Sequence, residues 1–304
     1  MEEIRATNLD LQEAIIRMVV FFDLFDSPLT AYEIYNNLKQ RWSLVDIYYV
    51  LDNKEGIASF PLDSFQGFYF LKGRSSIIKV RMEHYHHFYR KLKISRHFSA
   101  IFKLFPAVEM IALANVIGSY NLRDNGDIDF LIVTKPRRLW LSRLFCTGLA
   151  KLLHSRPTKN TKRDKICLSF YLSTDSLNLD RLRLGQSDPY LDYWPGQLVL
   201  LYNNHQTYES FCFSNRLLEK ESNGFDRLLD IKQDKLRQTV FTWVDRLDKA
   251  AGALQWRIMP VVLKEAAVKR EGVVIDQHIL KFYLRDRRYE FAQKYEQKIQ
   301  DIFS

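Results

Sequence analysis

Two aspartates one residue apart, Asp127-Ile128-Asp129, lie eight residues after a Gly118-Ser119 pair. The run Ile128-Asp129-Phe130-Leu131-Ile132-Val133-Thr134 is β-branched and aromatic, so it reads as a strand. Side chains alternate along a strand, which turns Asp127 and Asp129 to one face and Ile128 and Phe130 to the other. Two adjacent carboxylates repel unless a cation sits between them. Paired hard oxygens suit Mg²⁺, which keeps waters and takes substrate phosphates as further ligands. A glycine lets backbone approach a phosphate closely, and a serine adds a hydroxyl and an N–H. The bland alternative is a β-hairpin with an acidic turn.

An apolar strand ending in Gly118-Ser119, a loop, and Asp-x-Asp on a second strand resemble the signature of the DNA polymerase β-like nucleotidyltransferase superfamily. The resemblance covers residues 107–134. It implies that Gly118 and Ser119 hold the phosphates of a nucleoside triphosphate and that Asp127 and Asp129 ligate Mg²⁺. It implies transfer of a nucleoside monophosphate to a hydroxyl on a small molecule, a protein or RNA. Arg137, together with Lys281 and Arg285, is a candidate for the triphosphate; solvated or ion-paired helix faces are the alternative. The loop between Ser119 and Asp127 has seven residues, a little short for the family. The family's third carboxylate belongs on a later strand. The candidate strand Ile166–Ser173 contains no acid, and Ser169 stands where one is expected. Asp164 and Asp175 flank that strand as possible substitutes. The missing acid leaves a second reading open, a catalytically degenerate module for nucleotide sensing or protein interaction.

The elements that must position these groups follow from patterning. The expected fold class is α+β: a nucleotidyltransferase α/β core with an N-terminal winged-helix-like unit and a mostly helical C-terminal region. Residues 1–75 give a helix over 11–24, two helices opened by the capping boxes Thr30–Glu33 and Ser43–Asp46, and a hairpin over 57–71. That order resembles a winged helix-turn-helix. Its third helix, SLVDIYYVLDN, carries two aspartates and no Lys or Arg, which disfavours a third reading, a nucleic-acid-binding regulator. Residues 76–106 form a basic helical connector, 107–187 the core, and 188–304 the helical region, with helices expected at 190–203, 206–221, 233–253, 255–270 and 276–302. Lys281, Arg285 and Arg288 would then share one helix face.

Bulk composition fits a globular protein. The chain has 304 residues, 47% hydrophobic and 27% charged. A net charge of +9 favours anionic partners, nucleotides or nucleic acid. No apolar run is long enough for a membrane helix, and no signal-peptide core is visible. The cysteines Cys146, Cys167 and Cys212 form neither a disulfide framework nor a zinc spacing, so the cytoplasm is the expected compartment. His84, His86 and His87 read as solvated rather than metal-binding.

Overall fold

The computed structural model describes residues 2–38, 42–53, 60–158, 160–185, 187–217, 242–269 and 272–304. It is a mixed α+β fold built on two sheets. Residues 57–59, 218–221, 233–241 and 270 of the expected elements lie outside the described residues.

The N-terminal unit comprises α1 (Glu2–Asp23), β1 (Leu29–Thr30), α2 (Ala31–Asn37), α3 (Leu44–Asn53), β2 (Leu62–Phe65) and β3 (Phe68–Leu71). Its three strands pair in the order β1-β3-β2, all antiparallel. Both capping boxes form. The Thr30 hydroxyl accepts from the Glu33 amide while Glu33 accepts from the Thr30 amide, and Ser43 and Asp46 repeat the pattern. Met18, Val20, Phe21 and Phe22 of α1 are fully buried, so this helix is the spine of the unit rather than a surface element.

The long helix α4 (Ile77–Phe102) leads into the larger sheet. Its first strands are β4 (Val108–Leu113) and β5 (Ile128–Thr134), followed by α5 (Leu139–Leu152) and β6 (Ile166–Ser173). Then come α6 (Pro189–Tyr193), β7 (Val199–Asn203), α7 (Thr207–Ser214), α8 (Thr242–Ile258), α9 (Val261–Lys269), β8 (Val273–Ile275), β9 (Ile279–Phe282) and α10 (Arg288–Phe303). The six strands run in the order β7-β4-β5-β6-β9-β8. β5 and β6 are parallel and joined through α5; the other pairs are antiparallel. Every residue of β4 is buried, as a central strand covered on both faces requires.

The C-terminal region departs from the helical expectation. The stretch 190–203 holds a short helix, a 3₁₀ turn at Trp194–Gln197 and then a strand. Residues 273–282 form a hairpin where a helix over 276–302 was expected. Pro195 and Gly196 break the first helix, and the β-branched run Val273-Val274-Ile275 suits a strand. The large sheet therefore draws strands from both sides of residue 187. No helix among the described residues is long and apolar enough to cross a membrane.

Candidate metal and phosphate site

Asp127 immediately precedes β5 and Asp129 is its second residue. Asn115 donates from Nδ2 to the Asp127 carbonyl at 2.9 Å, and the Ala114 amide donates to the Asp129 carbonyl at 2.8 Å. The residues just after β4 thus clamp the backbone that presents both acids. Upstream, the buried Lys91 of α4 donates to the Gly126 carbonyl at 2.5 Å. These bonds engage only the backbone around the two acids, while the Asp129 carboxylate is met by the Cys167 side chain.

On β6, Cys167 pairs in register with Asp129. A bulge then intervenes before Leu131 meets Phe170. Cys167, not Ser169, therefore stands level with the acids. Ser169 lies behind it, its Oγ 2.7 Å from the Cys167 Sγ. Ligand atoms of Asp127, Asp129 and Cys167 all lie within 4.8 Å of one another, with each residue half-buried. Among the described residues this is the one such grouping; the histidines of α4 do not join one.

Charge at the site is unbalanced. Burial, then the neighbouring Asp127 carboxylate, pushes the Asp129 acid up to about 7. Burial and Asp129 also push the Cys167 thiol well up, so it is a neutral S–H at neutral pH. Among the described residues, no Lys or Arg forms an ion pair with either aspartate; the Cys167 hydrogen bond and the more distant charge of Arg156 oppose the rise without cancelling it. The Asn115 Oδ1 is buried without a hydrogen-bond partner. A half-buried acid pair short of positive charge, beside an orphaned carbonyl oxygen, fits a divalent cation and its waters. The two carboxylates suit Mg²⁺; the thiol at the third position does not.

Asp129 and Asn115 line an open cleft of about 740 Å³. Its walls include Lys281, Arg285, Arg287 and Arg288 beside the aromatic rings of Tyr190, Trp194 and Tyr283. Lys281 comes from β9, Arg285 from the following turn and Arg288 from the start of α10. The single helix face expected for them does not exist, yet the β9–α10 turn carries all three to the Asp129 cleft. Lys281 pairs with Asp286 at 2.6 Å, and Arg288 pairs with Asp286 and Asp188 at 2.8 and 3.1 Å. Arg285 is 77% open and paired at 2.5 Å with Glu290, which the exposed Arg287 also meets at 3.4 Å.

The other expected residues go elsewhere. Gly118 sits at φ +82°, and an added Cβ would lie 2.0 Å from the Ser27 Oγ. Glycine is required there by close packing against the N-terminal unit. Ser119 lines a separate cleft of about 1150 Å³ with Glu33, Asp192 and Glu209. Its hydroxyl bonds Glu33. Arg137 pairs with Asp245 of α8 at 2.7 Å. Asp164 is held by Lys91 at 3.0 Å and Arg90 at 3.1 Å, and Asp175 by His278 at 3.0 Å. Neither belongs to the Asp127–Asp129 group, because Lys91 and Arg90 of α4 hold one and His278 of the β8–β9 hairpin holds the other. The sequence missed Cys167 and Asn115, and it placed Arg288 on a helix face that does not form. In-register pairing of Cys167 with Asp129 was the available signal, and it needs the parallel β5–β6 alignment.

No family model, curated protein or solved structure matches the chain.

Proposed function

We propose that the chain is a Mg²⁺-dependent nucleotidyltransferase, moving a nucleoside monophosphate from a nucleoside triphosphate to a hydroxyl acceptor. One observation carries this reading. Asp127 and Asp129 converge without a Lys or Arg ion-pair partner among the described residues, and Asp129 lines a cleft together with Lys281, Arg285, Arg287 and Arg288. In this reading the larger sheet is a nucleotidyltransferase core, and residues 1–75 are a winged-helix-like unit.

Asp127 and Asp129 would hold the ion. When bound, Mg²⁺ neutralises phosphate charge and lowers the pKa of a bound hydroxyl. Asn115 fixes the backbone of Asp127, so the acid pair is preorganised. Arg285 leaves its exposed partner Glu290 to meet the triphosphate. Lys281, held by Asp286, sets the positive potential deeper in the cleft. Tyr190 and Trp194 offer flat faces to a base. Gly118 and Ser119 join the phosphate contacts only when Glu33 releases the Ser119 hydroxyl. Arg137 is already committed to Asp245.

Cys167 favours a second reading, nucleotide binding without transfer. A neutral thiol occupies the register position beside Asp129, and it neither accepts a proton nor binds Mg²⁺ well. The acidic α3 gives no support to sequence reading of DNA by the N-terminal unit.

Thermal shift with each nucleoside triphosphate, with and without Mg²⁺, tests the site. A Mg²⁺-dependent rise in Tm is expected, and Asp127→Ala should abolish it while leaving the far-UV spectrum unchanged. A rise that survives in Asp127→Ala refutes the metal role. Transfer of label from an α-labelled triphosphate then separates the two readings: release of pyrophosphate supports transfer, and binding with no turnover supports the sensor.

A further inference from the structure

One face of α4 stays uncovered. Tyr85, Tyr89, Lys93 and Arg96 recur at intervals of four, four and three residues, so they form a single exposed stripe. At 1.5 Å per residue the stripe is roughly 16 Å long. Its first half is aromatic and its second half cationic.

Tyr120 completes the aromatic half. It lies in the loop between Ser119 and Asp127, and its ring centroid sits 5.1 Å from Tyr85 and 6.1 Å from Tyr89. The Tyr89 and Tyr120 planes are within 18° of parallel. All three rings are open to solvent, at 38%, 48% and 41%. Tyr120 adopts φ +61°, a conformation that bulky side chains rarely take. The next residue pins it there. Asn121 donates from Nδ2 to the Phe25 and Ile117 carbonyls, and its Oδ1 lies 2.5 Å from the His84 Nδ1 of α4. The loop is thus braced so that an aromatic ring is presented to water beside two others.

The charge around these rings is positive. Lys93, Arg96 and Arg123 are exposed and form no ion pair among the described residues. The nearby Asp124 is already met by Arg90 at 2.6 Å and Arg163 at 3.1 Å. Glu83 is the one acid of α4, and its spacing puts it off the stripe.

We propose that this surface holds a single-stranded nucleic acid, with bases stacking on Tyr85, Tyr89 and Tyr120 and phosphates meeting Lys93, Arg96 and Arg123. Flat rings accept any base because every base has a π face, and the cations follow the backbone. A duplex keeps its base faces stacked inside and leaves the rings unused. An acidic peptide satisfies the cations but offers no flat partner at each ring. The surface does not rely on Asp127, Asp129 or the Lys281 cleft.

The test uses the full chain and fluorescence anisotropy with labelled oligouridylate and oligodeoxythymidylate, each about twelve nucleotides long to exceed one typical site. Saturable binding of either strand is expected, weakening steeply with added salt. Tyr89→Ala should weaken it about tenfold or more, and Tyr89→Trp should retain it. Lys93→Glu with Arg96→Glu should weaken it and flatten the salt dependence. Asp127→Ala should leave it unchanged, which separates this surface from the metal site. Absence of saturable binding overturns the proposal. So does wild-type affinity in Tyr89→Ala, or equal binding of a matched duplex.

Discussion

Asp129 and Asp286 line the same cleft, yet their surroundings are opposite. Burial works to raise the Asp286 acid, but Arg288 and Lys281 outweigh it and hold the group down at about 2. Burial and a second carboxylate push Asp129 the other way, to about 7. A buried acid kept for architecture is surrounded by cations, as Asp286 and Asp188 are. Asp129 has no such ion-pair partner among the described residues, and the strongest charge acting on it is another acid. The contrast separates fold from function within one cavity, and four perturbations test it.

The largest effect is expected on the neutralised side. Arg288→Met leaves Asp188 and Asp286 buried with one cation fewer, and Arg288 also caps the Leu182 carbonyl at 2.8 Å. Loss of one partner of a buried pair typically costs about 3–5 kcal/mol, to be read from urea denaturation. A loss under about 1 kcal/mol, the range of a surface pair, would show the network to be ornamental.

Gly118→Ala comes next. The new Cβ would crowd the Ser27 Oγ and strain a positive φ, so a loss of about 2–3 kcal/mol is expected. Shortening the neighbour, as Ser27→Gly, should return part of it. If Gly118→Ala is neutral in stability but loses nucleotide binding, the bend serves phosphate and not packing.

Asp129→Asn should act in the opposite direction. It removes a buried repulsion, so the metal-free variant should match or exceed wild type in stability near pH 8 while losing the Mg²⁺-dependent shift. The pH dependence fixes the sign. Asp129 moves from an ordinary 3.8 up to about 7 in the folded chain. A raised acid holds its proton more tightly when folded, so its contribution is full below about pH 4 and is lost as pH rises towards 7. The stability difference between wild type and Asp129→Asn, from denaturation midpoints without metal, should therefore swing against wild type across that window. A flat difference would mean that the two acids are already neutralised. Mg²⁺ competes with the same proton, so its apparent affinity should climb over the same range.

The smallest effect belongs to Arg137. Its side chain is 56% exposed and its partner Asp245 also bonds Arg138 at 2.5 Å. Arg137→Ala should cost no more than about 1 kcal/mol and leave nucleotide binding intact. A loss of binding would return Arg137 to the phosphate site.

Sequence alone determined what local chemistry controls. The Thr30–Glu33 and Ser43–Asp46 caps start their helices because each closes on a residue three positions away. Asp127 and Asp129 share a face because a strand alternates, and that holds before any partner strand is known. Tertiary structure decided whatever depends on distant pairing. Residues 199–203 and 273–282 are too short and apolar to distinguish buried strand from helix by periodicity, and the open edges of the six-stranded sheet resolved them as strands. Cys167 became the neighbour of Asp129 through parallel register, and Gly118 became a packing glycine through a contact with Ser27, ninety-one positions earlier. Lys281 and Arg285 reached the Asp129 cleft on a turn that no helical wheel contains. Hydrogen bonds within a few residues are written in the order of the chain, whereas charge neutralisation and register are settled only when separate segments meet.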